Sequence, residues 1–110
     1  MIHWPAIIEF AEGQGYAWVA DPGGVAEHRP RVGDRLLDSQ GYLHLLSQQT
    51  LSQQTSGDLY WQPQLRLVSL FELNAGLRVY AASLGICCTS KLVVRTMAEA
   101  IALVAWLEQQ

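Results

Sequence analysis

Ser69-Leu70-Phe71-Glu72 and Thr96-Met97-Ala98-Glu99 decide the fold of the last third of this chain. Each fits the capping box, in which a hydroxyl and a carboxylate satisfy backbone donors that a first helical turn leaves unpaired. The first box predicts a helix from Ser69 to about Leu84, with Leu70, Leu73, Leu77, Tyr80 and Leu84 forming one apolar stripe. Gly76 inside it costs about 1 kcal/mol relative to alanine and allows close packing on a sheet. Gly85 is the stop signal. The second box predicts a helix from Met97 to about Glu108, centred on Met97, Ile101 and Val104. Trp106 falls opposite that line. Between the helices, Ile86 to Arg95 ends in β-branched residues and predicts a strand. Ile86, Cys88, Leu92 and Val94 would face in, and Cys87, Thr89, Lys91 and Arg95 would face out, with Val93 breaking the pattern.

Upstream, the period changes from helix to strand. Ile2, Trp4, Ala6, Ile8 and Phe10 alternate with His3, Pro5, Ile7 and Glu9, so one set shares a strand face. Pro5 has no N–H for a ladder, which places it at the start of the strand or the strand at an edge. Tyr16 to Ala20 reads as the returning strand of a hairpin. Asp21-Pro22-Gly23-Gly24 breaks the chain, and residues 25–33 read as one helical turn and then loop. A second hairpin joins Arg35–Asp38 to Tyr42–Leu46, with Gly41 where a positive φ is needed. Leu46-Ser47-Gln48-Gln49-Thr50 is repeated as Leu51-Ser52-Gln53-Gln54-Thr55, a unit too short for a solenoid and readable as a lengthened Gln/Ser/Thr-rich loop over 47–57. Asp58 to Gln62 and Gln64 to Val68 resume strand character around Pro63.

The expected fold is a single α+β domain over 1–110, in two layers. A mainly antiparallel sheet of five or six strands carries two helices on one face, in the order β-β-β-β-β-α-β-α. With 110 residues, half of them hydrophobic and 15% charged, the chain is long enough for a core and too apolar for disorder.

Asp34-Arg35-Leu36-Leu37-Asp38-Ser39-Gln40-Gly41, the Gly85-to-Lys91 segment and the following Glu99-Ala100-Ile101 resemble a small family of bacterial proteins of unknown function. The resemblance spans most of the chain. It implies no activity, cofactor or catalytic residue.

The net charge of −3, from seven basic and ten acidic side chains, speaks against nucleic-acid binding, which relies on Lys and Arg to neutralise phosphates. Arg29, Arg31 and Arg35 gather around His28, either as a solvated loop or as a patch for a small anion or acidic partner. No run approaches the roughly 20 apolar residues of a membrane span, and Met1 to Pro5 lack a signal-peptide pattern. With only two cysteines, and those adjacent, a reducing cytoplasm is the expected setting.

Catalytic signals are sparse. Cys87-Cys88-Thr89-Ser90 contains Cys-x-x-Ser, but it follows a helix instead of opening one, so the dipole that would lower a thiol pKa is missing. Cys87, with Ser90 and Lys91 nearby, is the one thiol site to consider, against the alternative that both cysteines are small core residues. His3, His28 and His44 lack metal-ligand spacing, and no metal or other cofactor is expected. His44 alternates with Leu43 and Leu45, which predicts a surface position. Asp34 and Asp38, about 13 Å apart along a strand, are too distant for shared acid/base work and read as turn residues. Tyr16, Trp18, Tyr60 and Trp61 fall on strands, where they serve a core, a subunit interface or a ligand. The favoured function is a non-enzymatic protein-interaction or structural module. Its partner would be another protein or a second copy, met through Trp106 and Leu103. The alternative is a small ligand-binding or thiol-dependent enzyme using Cys87.

Overall fold

The computed structural model describes residues 2–13, 15–48, 59–86 and 89–109. Five strands form one antiparallel sheet: β1 (Ala6–Glu9), β2 (Tyr16–Val19), β3 (Arg35–Leu37), β4 (Tyr42–Gln48) and β5 (Leu59–Leu67). Their spatial order is β2-β1-β3-β4-β5. Helices α1 (Leu70–Ser83) and α2 (Met97–Leu107) follow. The α+β class, the antiparallel sheet and the two helices are as the sequence predicts.

Both predicted N-cap hydroxyls cap their helices. Ser69 Oγ accepts from Glu72 N at 3.4 Å and Thr96 Oγ1 from Glu99 N at 3.1 Å. The Glu99 carboxylate reaches back one residue further than the reciprocal bond of a capping box, accepting from Arg95 N at 2.7 Å. At the far end of α1, Gly85 takes φ +84. Its N–H donates to Ala82 O at 3.0 Å while Ile86 N donates to Ala81 O at 3.1 Å, the paired bonds of a Schellman stop.

The central strands of the sheet, β1 and β3, are buried on both faces. On the helix side, Ile7, Tyr16, Leu37 and Leu43 pack with Leu73 and Leu77 of α1 and Ala100, Ile101 and Val104 of α2. Each fully buried aliphatic side chain there contributes about 1.5–3 kcal/mol. On the far side, Ala6, Ile8, Ala17, Val19 and Leu36 form a second cluster, with Ile2, Trp4, Phe10, Val25 and Trp61 packed against it. The alternation of Ile2, Trp4, Ala6, Ile8 and Phe10 therefore selects a real face. Its cover is the N-terminal segment and a 3-10 helix, Pro22–His28, started by Asp21 and ended by Arg29.

Two expectations fail for physical reasons. The described residues of 86–95 form no strand; Thr89–Lys91 make a 3-10 turn instead. Side chains of α1 take the backbone bonds that a neighbouring strand would have taken. Asn74 accepts from Val94 N at 2.7 Å and donates to Val94 O at 3.0 Å, and Arg78 Nε donates to Leu92 O at 2.8 Å. Val94 still reaches the core, at 5% exposure. His44, expected at the surface, is buried on the far face, because that face is covered too. Strand β4 runs on to Gln48, and the repeat beyond it lies outside the described residues.

Candidate functional site

Two acidic residues anchor the scaffold. Asp38 closes the β3–β4 turn: its carboxylate accepts from Gln40 N and Tyr42 N, both at 3.0 Å, and from His3 N at 3.3 Å. His44 Nε2 lies 3.1 Å from the same carboxylate. Burial pushes the Asp38 pKa up, but the His44 bond and the three backbone N–H groups outweigh it, and the net direction is down. Asp34 accepts from Ala11 N at 2.9 Å and Arg31 N at 2.8 Å. Both aspartates manage turns, as their spacing suggests.

His44 opens on a cleft of about 370 Å³ lined also by His3, Tyr42, Pro63 and Leu65. Among the described residues its lining contains no serine, threonine or cysteine, the groups that a histidine base would activate. The Asp38–His44 contact braces the hairpin, while the bonds from His3 N to Asp38 and from Ser39 N to His3 O tie the N-terminal segment to it. Among the described residues no cluster of three or more His, Cys, Asp or Glu side chains is arranged to hold a metal ion.

A second network joins β1, β2 and α1. Glu9 accepts from Tyr16 Oη at 3.0 Å and pairs with Arg35. Burial raises the Tyr16 pKa far above its ordinary value, and the Glu9 charge and hydrogen bond add to it. The Tyr16 hydroxyl occupies the space a Cβ on Gly76 would need, 2.2 Å away, and the Tyr80 ring occupies that of Gly15. The rings of Tyr16 and Tyr80 meet at 5.8 Å, tilted by 59°. Burial and the Glu108 charge raise the Tyr80 pKa as well. Gly76 thus allows the close helix–sheet packing inferred for it. A shallow cavity of about 430 Å³ beside Tyr16 and Tyr80 belongs to this junction.

Two apolar surfaces stand out among the described residues. One is β5, an edge strand on which Leu59, Tyr60, Leu65 and Leu67 are 50%, 45%, 91% and 59% exposed. Arg66 is its one charged residue. Pro63 and an irregularity opposite Tyr42–His44, where Leu65 takes φ +56, interrupt it. The other is a groove of about 680 Å³ on the far face, lined by Trp4, Val25, Leu46, Leu59, Trp61 and Arg29 among others.

The residues singled out in the sequence lie elsewhere. Cys87 and Cys88 fall outside the described residues, as does the side chain of Ser90; Lys91 is exposed on the 3-10 turn. On α2, Trp106 is 48% exposed, and Leu103 is half-buried against the main core. Of the arginine group, Arg35 is committed to Glu9, while Arg29 and Arg31 stay exposed. Sequence reasoning missed the covered far face and with it the role of His44. The apolar run from Ile2 to Phe10 was its only signal.

An NMR structure of a protein from Shewanella amazonensis is similar to this chain. It is 23% identical, covers 97% of this chain and 90% of its own, and has a TM-score of 0.69. At that identity the likeness speaks for the fold alone. No curated protein matches. Residues 4–104 match the family described as DUF4144, protein structure with unknown function, and the chain belongs to that family.

Proposed function

We propose that this protein works by binding, as a non-enzymatic interaction module that pairs with a second copy of itself along β5. The observation that carries this reading is the exposure of Leu59, Tyr60 and Leu67 on a nine-residue edge strand. An edge presents unpaired backbone donors and acceptors, and proteins blunt it with charge, brevity or cover. Here there is no lysine and no acidic residue, and only Arg66 carries charge. Self-pairing suits such an edge. An antiparallel copy continues the antiparallel order of the sheet, and a two-fold contact needs only one self-complementary surface. Pro63 and the Leu65 irregularity confine the regular pairing to Leu59–Gln62 and keep the contact small. It therefore belongs with transient interfaces, below about 1,200 Å² of total buried area.

Sedimentation velocity tests the reading. The weight-average coefficient of the wild type is expected to rise with concentration through the micromolar range, and that of Tyr60→Lys/Leu67→Lys to stay at the monomer value. A wild type that remains monomeric at several hundred micromolar would reject the pairing. A dimer that survives the β5 changes but is lost in Trp106→Ala would move the interface to α2, where the sequence first placed it.

The thiol reading is a separate proposal, resting on Cys87 beside Ser90 and Lys91. Its test is the pH dependence of alkylation of the native protein. Modification of Cys87 well below the free-thiol pKa of about 8.5 supports it; modification only on unfolding removes it.

A further inference from the structure

The far face of the sheet carries a groove that neither helix reaches. At about 680 Å³ it falls within the size range of sites that hold small organic ligands. Its walls come from four separate places: the N-terminal segment (Trp4), the 3-10 helix (Val25), β4 (Leu46) and β5 (Leu59 and Trp61). Two indole rings, Trp4 and Trp61, give it flat, polarisable surfaces.

The groove's charge is as informative as its shape. Among the described residues of its lining Arg29 is the one that carries charge, and none is acidic. Among the described residues no carboxylate pairs with Arg29, whereas Arg35 of the same cluster is neutralised by Glu9. Arg29 also ends the 3-10 helix in the left-handed region, at φ 48 and ψ 54. Glycine or asparagine fills that position more easily, so the backbone gains nothing from an arginine there. What the arginine adds is a cation at the edge of an otherwise apolar groove.

We infer that this groove binds a small amphipathic carboxylate with an aromatic body, the ring lying against Trp4 and Trp61 and the carboxylate meeting the guanidinium of Arg29. A guanidinium presents two parallel donors matched to a carboxylate, which favours this class over a neutral ligand of the same shape. The site lies on the sheet face away from α1 and α2 and does not depend on self-pairing along β5.

The test uses 1-naphthylacetate and its neutral analogue 1-naphthylacetamide, followed by tryptophan fluorescence and by amide and indole NMR shifts. Saturable binding of the acid is expected, with shifts at the Trp4 and Trp61 indole N–H groups and at Val25. The acid should bind about tenfold or more tightly than the amide, as one charge-assisted hydrogen bond implies. Arg29→Gln should bring the acid down to the amide's affinity without changing the amide's, and Arg29→Lys should retain part of the preference. Arg29 is exposed, so an unchanged spectrum in the absence of ligand will show that both variants keep the fold. No saturable change at millimolar acid would overturn the inference. So would equal affinity for acid and amide, or shifts centred on Tyr16 and Tyr80. Loss of β5 pairing with acid binding intact would reject the proposed dimer and leave this site standing.

Discussion

The two edges of the sheet face the same backbone problem and solve it differently. Strand β2 is four residues long, and Tyr16, Ala17 and Val19 are buried. Helix α2 packs beside it, and the Glu108 carboxylate accepts from Trp18 N at 2.7 Å, capping a donor at the edge. Strand β5 is nine residues long, and of these only Trp61 and Gln64 are even half-buried. Its protection is local, from Pro63 and the irregularity at Leu65. One edge is closed by tertiary cover; the other is shortened by its own sequence and left facing outward. The proposed association would use the open edge, since the other is already covered.

The closed edge depends on close packing around Gly15, and the largest effect is expected there. Gly15 has φ +89, and an added Cβ would lie 2.2 Å from the Tyr80 ring. Gly15→Ala combines left-handed strain of about 1–2 kcal/mol with overpacking of about 1–3 kcal/mol. Urea unfolding should register the sum, and a loss of a few tenths of a kcal/mol would show that β2 does not rely on this junction.

Next in size is the support beneath β4, the strand that carries β5. Asp38→Asn replaces an acceptor with a donor facing buried N–H groups and should cost about 1–3 kcal/mol. The same contact has a pH signature. The folded pKa of Asp38 lies below its ordinary value, so its stabilisation is complete above the ordinary carboxylate range and is lost as pH falls through the folded value. The wild type should therefore lose stability below about pH 4, and Asp38→Asn should lose less over that interval. Parallel acid profiles would deny the carboxylate this role.

Glu108→Ala removes the cap on Trp18 N and should cost about 0.5–1.5 kcal/mol. It also sharpens the contrast between the edges, because β2 would then offer an unpaired donor of its own. Increased association of this variant that Tyr60→Lys/Leu67→Lys does not cancel would show the second edge opening. The smallest effect belongs to β5 itself. In the monomer, Tyr60→Lys/Leu67→Lys should stay within about 0.5 kcal/mol of wild type, as exposed positions do. A larger loss measured at low protein concentration would mean that β5 packs on its own chain more than its exposure implies.

Much of this arrangement is legible in the residues, and the gaps have physical causes. The N-caps at Ser69 and Thr96, the stop at Gly85 and the turn at Gly41 are local signals, and each forms, although the reciprocal carboxylate bond of the boxes is not among those seen in the described residues. The Ile86–Arg95 segment is misread because its bonds go to Asn74 and Arg78, partners that no pattern within the segment reveals. His44 is misread because alternation separates two faces without saying that both are covered. The Arg29 groove needed four distant segments brought together. Only the arginine cluster hinted at it, and Arg35 of that cluster serves Glu9 instead. The repeat from residue 49 and the cysteine pair lie outside the described residues, so the readings placed on them stand as proposals.

Amide hydrogen exchange measured across a range of protein concentrations tests the central claim most directly, because it reads both edges in one experiment. The account predicts that amides of Leu59–Gln62 gain protection as concentration rises, while those of Tyr16–Val19 are protected equally throughout. Exchange along β5 that is independent of concentration up to several hundred micromolar, or a gain confined to α2 around Trp106, would contradict it.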